Sequence, residues 1–249
     1  MKPAGRIALH GGGEFGPGDE PFLDAIVRAA ARGDRAVRVV VVPTAAARSG
    51  PETAARNGVR ALRAAARRIG REAETEIALV VDRPSADERA NVELLEAADL
   101  VYLPGGHPDL IPAVLPETRA WRAMLAAHDA GAVITGASAG AMGLASRSWT
   151  PGGWVPALGL VPGLIVVPHF AMIEPNIAAW APTIDELDGL GLGALALDER
   201  TGVLSPAGGD THRWEVVGEG RAAWFGVGAG QPVVARHGQT LDIAAATVS

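Results

Sequence analysis

Apolar and polar positions alternate along the first 140 residues in one recurring rhythm. Short apolar runs of strand length give way to longer segments with apolar residues at helical spacing. "GRIALHG" reads as a short buried strand ending in glycines. "DEPFLDAIVRAAARG" follows as a helix, with Asp19 as a cap candidate, Pro21 in the first turn and Gly33 as a stop. "AVRVVVVPT" is a β-branched strand, and an Ala/Arg helix covers about Pro51 to Ile69. "TEIALVVD" predicts a strand, "SADERANVELLEAA" a helix and "DLVYLPGG" a strand. "ETRAWRAMLAAHDAG" is a helix and "AVITGAS" the next strand. Alternation of this kind means βαβ units, a mostly parallel sheet and helices on both faces.

The texture changes after about Pro151. "WTPGGWVPALGLVPG" is a Gly/Pro-rich excursion, read as a hairpin or lid. "LIVVPHF" is a strand, and "EPNIAAWAPTIDELDGLG" a proline-interrupted helix. "ALALDERTGVLSP", "HRWEVVGEG", "AAWFGVG", "PVVARHG" and "TLDIAAA" are short strands joined by tight turns. No linker or repeat interrupts the chain, so residues 1–249 are expected to form a single α/β domain. Its architecture is a three-layer α/β/α fold with a mostly parallel central sheet and a C-terminal antiparallel β extension.

Composition narrows the function classes. With 48% hydrophobic residues the chain has ample material for a core. A net charge of −6 and the lack of a dense basic cluster argue against nucleic acid as a partner. The arginines of "RALRAAARRIGR" alternate with an apolar stripe, as on a solvated helix face. The absence of cysteine removes disulfides, thiolate metal sites and cysteine nucleophiles. No apolar run reaches the ~20 residues that span a bilayer, and the N-terminus lacks the pattern of a signal peptide. The expectation is a cytoplasmic protein that binds no membrane.

The chemistry concentrates in "VITGASAGAM", Val133 to Met142. Gly136-Ala137-Ser138-Ala139-Gly140 matches G-x-S-x-G, with a predicted strand before it and a helix after it. In that context a sharp turn projects the serine above the sheet, beside backbone N–H groups able to stabilise an oxyanion. The competing reading is a helix cap among small packing residues. A nucleophilic serine needs a base and an orienting acid. His128, on a helix, and His237, in a hairpin turn, read as surface residues. His212 stands at a strand start. His10 and His107 sit at strand ends beside glycines, where open α/β sheets bind ligands. His169 closes "LIVVPHF", a polar residue at the end of an apolar strand. Asp185, Asp188, Asp198 and Glu199 are the candidate acids. Asp198 and Glu199 are adjacent, so only one of them can face the site.

"LHGGGE", "VYLPGGHPDL", "TGASAGAM", "VPHF" and "ALALDERTGVL" occur in that order over residues 7 to 204. Together they resemble the serine peptidases typified by peptidase E and cyanophycinase, in the class I glutamine amidotransferase-like superfamily, with its flavodoxin-like sheet. The resemblance implies Ser138 as nucleophile, His169 as base and Glu199 as the third member. It also implies Gly106 and Ala139 as oxyanion donors, with Gly105 and His107 beside the substrate. No cofactor and no metal are implied; a small peptide is the expected substrate and a homodimer the expected assembly. Two departures stand out. His107 and Pro108 replace the Asn or Asp and the Gln that commonly follow the two glycines. "PHFAMIEPNIAAW" lacks the arginines of cyanophycinases.

Other readings compete. "HGGGE" at His10 to Glu14 resembles the oxyanion motif of α/β-hydrolase esterases, which would need Asp185 or Asp198 with His212 or His237. Gly11 to Gly16 also fits the dinucleotide spacing G-x-G-x-x-G. A non-catalytic binding protein could keep the same fold. No His/Asp cluster has metal-ligand spacing such as H-E-x-x-H.

Overall fold

The computed structural model describes residues 5–175, 186–228 and 231–243. Five parallel strands form one side of the larger sheet, out to its edge at β3: β1 (Ile7–His10), β2 (Val37–Val41), β3 (Ala73–Ile77), β4 (Leu100–Leu103) and β5 (Val133–Ala137). They lie in the order β1-β5-β4-β2-β3. β1, β4 and β5 are apolar at nearly every position and buried on both faces, as parallel strands under two helical layers must be. On one face, α1 (Glu20–Ala30) and α2 (Pro51–Arg68) bury Phe22, Ile26 and Leu62 against Val39, Val41 and Tyr102. The other face is covered by α3 (Arg83–Ala86), α4 (Arg89–Glu96), α5 (Leu110–Val114) and α6 (Arg119–Asp129), with Leu95, Ile111, Trp121 and Met124 packed over Val40, Val101 and Ile134.

The chain then builds outward from β5. α7 (Ala139–Leu144) leads into a hairpin of β6 (Ala145–Thr150) and β7 (Gly153–Pro156), followed by β8 (Val161–Val167) and α8 (Phe170–Ile173). β9 (Gly193–Leu197), β10 (Thr201–Leu204), β11 (Arg213–Gly218), β12 (Arg221–Phe225), β13 (Val233–Arg236) and β14 (Thr240–Asp242) complete the described chain. β10, β11 and β14 add antiparallel strands beside β1 and supply the expected extension. The remaining strands form a second, six-stranded sheet, β13-β12-β9-β8-β6-β7, in which β8 runs parallel to both β6 and β9. The chain therefore leaves one sheet and enters the other between β9 and β10, at Asp198-Glu199-Arg200.

Several local expectations need correction. The expected strand "TEIALVVD" ends at Ile77, because the Val80 N–H turns back onto Ala78 O instead of continuing the ladder. The helix over "SADERANVELLEAA" is two helices. Asp82 and Ser85 form a capping box that starts α3, and the chain breaks at Asp87-Glu88. α5 has no counterpart among the elements that the sequence pattern predicts. α1 stops at Ala30, short of Gly33, and Asp19 makes no capping hydrogen bond there. His128 is buried rather than on the surface: its Nδ1 lies 3.2 Å from Ala132 O. Most of the proline-interrupted helix, including Asp185, lies outside the described residues. No helix among the described residues is long and apolar enough to cross a membrane.

Candidate active site

The carboxyl ends of β4, β5 and β1 meet at one edge of the sheet, where open α/β folds bind ligands. Ser138 stands between β5 and α7 with φ 50° and ψ −117°, a backbone conformation costly for any L-residue. The turn is pinned by Ser138 N–H donating to His10 O at 2.9 Å and by Met142 N–H donating to Ser138 O at 3.0 Å. The flanking glycines make the turn possible. A Cβ on Gly136 would lie 2.4 Å from Gly140 C, and one on Gly140 would lie 2.1 Å from Leu103 O. Only glycine allows β5, α7 and the end of β4 to approach so closely.

His169 follows β8 in a left-handed conformation, φ 54°, with its N–H donating to Gly11 O at 2.8 Å. Its Nε2 lies 3.0 Å from Ser138 Oγ, and its Nδ1 lies 2.7 Å from Glu199 Oε1. The three side chains form one continuous chain of contacts, each part-buried. Asp198 points the other way. Its Oδ2 accepts from the Arg221 backbone N–H at 2.9 Å and from Arg221 Nε at 3.0 Å. The same guanidinium holds Glu174 at 2.7 and 3.0 Å and lies 5.3 Å from the centre of the Phe170 ring. Hydrogen bonds to Glu174 and then Asp198 push the Arg221 pKa further up, while Arg221 draws Glu174 below the usual carboxylate range. This network clamps α8, the segment directly after His169.

The glycine-rich loop after β1 has a use that sequence reasoning missed. A Cβ on Gly12, where φ is +103°, would lie 2.3 Å from His169 Cε1, and one on Gly13 would lie 3.2 Å from Glu199 Cβ. Gly11 N–H donates to Thr201 O, and Gly12 O accepts from Arg200 N–H. The loop thus lies against the His169–Glu199 pair, and its Gly11 N–H, a donor a pyrophosphate would need, is taken by Thr201 O of the same chain. His10 is fully buried beneath it. Nδ1 of His10 accepts the Gly12 N–H at 3.3 Å, while Nε2 lies 2.9 Å from Asp19 Oδ1. Glu14 reaches across to β4, where its Oε1 accepts the Gly105 N–H at 2.8 Å. Tyr102 is buried nearby; burial, followed by the Glu14 and Asp19 charges, raises its pKa and keeps the hydroxyl protonated. The unbroken "HGGGE" is the signal for these roles, although its spacing by itself suggests an oxyanion or nucleotide motif.

Gly105 and Gly106 face Ser138 from the β4 loop. A Cβ on Gly105 would lie 3.1 Å from Ser138 Cβ, and Gly106 packs on Ala45 O. The Gly106 and Ala139 N–H groups find no acceptor among the described residues, and both residues line a cavity of about 290 Å³ beside Ser138. Its other walls are Pro108, Met142, Trp149, Trp154, Val166, Val167, Pro168, His169 and Ile173. His107 is not part of them: its N–H is tied to Ala45 O at 2.7 Å, and its side chain is exposed. His212, in a bend just before β11, and His237, in the turn between β13 and β14, are exposed. No group of three or more His, Asp or Glu side chains suited to a metal occurs among the described residues.

The chain matches the profile of peptidase family S51 over residues 7–205. Its structure is similar to that of a peptidase from an acI-B1 Actinobacterium, at 25% identity and a TM-score of 0.75, covering 97% of this chain and 98% of the other. A putative peptidase E protein from Listeria monocytogenes EGD-e shares the fold at 15% identity and a TM-score of 0.51, covering 94% and 98% of the two chains. Among curated proteins none is significantly similar to the chain.

Proposed function

The chain belongs to peptidase family S51 and is a serine peptidase; we propose that it cleaves an amide bond in a short peptide through Ser138, His169 and Glu199 and an acyl-enzyme. The observation that carries this reading is the unbroken run from Ser138 Oγ to His169 Nε2 at 3.0 Å and from His169 Nδ1 to Glu199 Oε1 at 2.7 Å. Glu199 holds the imidazole with its proton on Nδ1, which leaves the Nε2 lone pair facing the hydroxyl. As Oγ bonds to the scissile carbonyl carbon, its proton passes to Nε2. The oxyanion is received by the Gly106 and Ala139 N–H groups. When the C–N bond breaks, the Nε2 proton goes to the departing amine. Water then repeats the sequence on the ester, again with His169 as base, and frees the acid and Ser138.

The esterase reading needs a base or acid elsewhere, and the exposed His212 and His237 offer none beside Ser138. Its glycine motif also lies behind His169, with the Gly11 and Gly12 N–H groups already bonded to Thr201 O and His10 Nδ1. A non-catalytic role would leave the strained Ser138 backbone without a purpose. The deciding experiment is labelling by an alkyl fluorophosphonate followed by peptide mapping. Phosphonylation of Ser138, abolished by His169→Ala, is expected; an unlabelled Ser138 in folded protein overturns the reading.

A further inference from the structure

The cavity beside Ser138 has walls of a single character. Met142 comes from α7, Val166 and Val167 from β8, Ile173 from α8, and Trp149 and Trp154 from the β6–β7 hairpin. Among the described residues, no ionisable side chain apart from His169 lines it. Two charged side chains of the neighbouring elements are already engaged. Arg221 is bonded to Glu174 and Asp198, and Glu14 to the Gly105 N–H. We infer that this cavity receives an apolar or aromatic side chain of the peptide residue that supplies the scissile carbonyl. The inference rests on the Ser138–His169–Glu199 reading and adds the substrate class to it.

The placement follows from the oxyanion donors. A carbonyl oxygen held by the Gly106 and Ala139 N–H groups puts its own Cα within one bond of the carbon that Ser138 attacks. The side chain on that Cα therefore enters the space bounded by Ala139, Met142 and Val166. An aspartate or arginine side chain there would give up water with no partner to replace it, which is strongly unfavourable. An apolar side chain gains from the same burial.

The rim is built to hold its shape. Trp149 and Trp154 are directly paired across the hairpin, so their indoles share one face of it. Trp149 remains 45% exposed, a large apolar surface left open at the mouth of the cavity. Thr150 Oγ1 donates to Gly153 O and accepts the Gly152 N–H, which closes the turn. Ser148 Oγ donates to Pro108 O at 2.9 Å and so ties the hairpin to the loop that carries Gly106. The indole pair and the oxyanion loop are thus held in register. Pro108 contributes another apolar wall.

The test uses the full-length enzyme and X-Ala amides with X as Phe, Leu, Ala, Asp or Arg. The wild type should favour Phe and Leu over Asp and Arg in kcat/KM by about 10- to 100-fold. Trp154→Ala and, separately, Trp149→Ala should lower the Phe-to-Ala preference by about tenfold, while Trp154→Phe retains most of it. Thermal melting establishes that each variant is folded. A turnover-independent reading comes from Ser138→Ala: Phe-Ala amide should shift its tryptophan emission and Asp-Ala amide should not. A preference for Asp or Arg, or a Phe-to-Ala ratio unchanged in both tryptophan variants, overturns the inference. Fluorophosphonate labelling of the wild type separates the two failures. Labelling at Ser138 with a flat or charged preference defeats the apolar pocket alone; absent labelling defeats the triad and this inference with it.

Discussion

Replacing Glu199 by Gln removes a charge and keeps the shape. The carboxylate touches His169 Nδ1 at 2.7 Å, and the two side chains are 37% and 35% exposed. At a charge separation of ~4 Å the attraction for an imidazolium is about 1 kcal/mol in water and about 4 kcal/mol at an effective dielectric of 20. A pair exposed by a third lies between these limits, at about 2–3 kcal/mol after screening. That alone is on the order of 30- to 150-fold in kcat. The amide can also turn its NH2 toward Nδ1 and favour the wrong tautomer, and the whole loss in a fully buried triad is about 10⁴-fold. The expected fall for Glu199→Gln is therefore on the order of 10²–10³, smaller than in a sealed site. Asp198→Asn is the matched control. It weakens the bonds to Arg221 and should cost about 1–3 kcal/mol of stability while kcat stays within a few-fold. Steady-state kinetics on one good peptide substrate, with thermal melts of both variants, decide the matter. An Asp198→Asn enzyme that melts normally yet loses as much kcat as Glu199→Gln refutes the assignment.

Ser138→Ala should abolish burst-phase acylation and leave only the residual turnover of binding and oxyanion stabilisation, read by stopped-flow on an activated ester. Glu14→Ala frees the Gly105 N–H and loosens the loop carrying Gly106, so kcat should fall about 10- to 100-fold with KM little changed; an equal fall in a variant that also melts early would assign Glu14 to stability alone. Cyanophycin, whose aspartate backbone bears arginine branches, should be a poor substrate, and efficient release of β-Asp-Arg would refute the specificity while leaving the triad standing. Burial holds the His128 imidazole below its usual pKa. The unfolded chain, with pKa ~6.5, therefore binds a proton that the native state refuses, and stability falls as pH drops below about 6.5. Urea midpoints between pH 5 and 7.5 should show a shallower acid slope in His128→Gln, and an unchanged slope would refute the account.

Periodicity made the parallel half of the fold legible. β1, β2, β4 and β5 are short, apolar and followed by amphipathic segments, and each is a property of neighbouring residues alone. G-x-S-x-G was legible for the same reason, since a strand, a strained turn and a helix are all local. The order Ser138, His169, Glu199 came from resemblance, because nothing local says which distant histidine meets a serine. Tertiary structure decided that at the seam between two sheets. His169 leaves β8 of one sheet and Glu199 lies where the chain crosses from β9 to β10 of the other, while Gly11–Gly13 of the loop after β1 pack against both. Period-two alternation said that Asp198 and Glu199 diverge; only the position of Arg221 on β12 shows what receives Asp198. The glycine loop looks like a ligand motif in sequence because its shape serves contacts roughly 160 to 190 residues away in the chain, and backbone proximity of that kind leaves no mark on local pattern. The apolar cavity is likewise a tertiary product. Its walls come from α7, the hairpin, β8 and α8, each of which would read as ordinary core, and only their convergence beside Ser138 turns packing residues into a candidate surface for substrate.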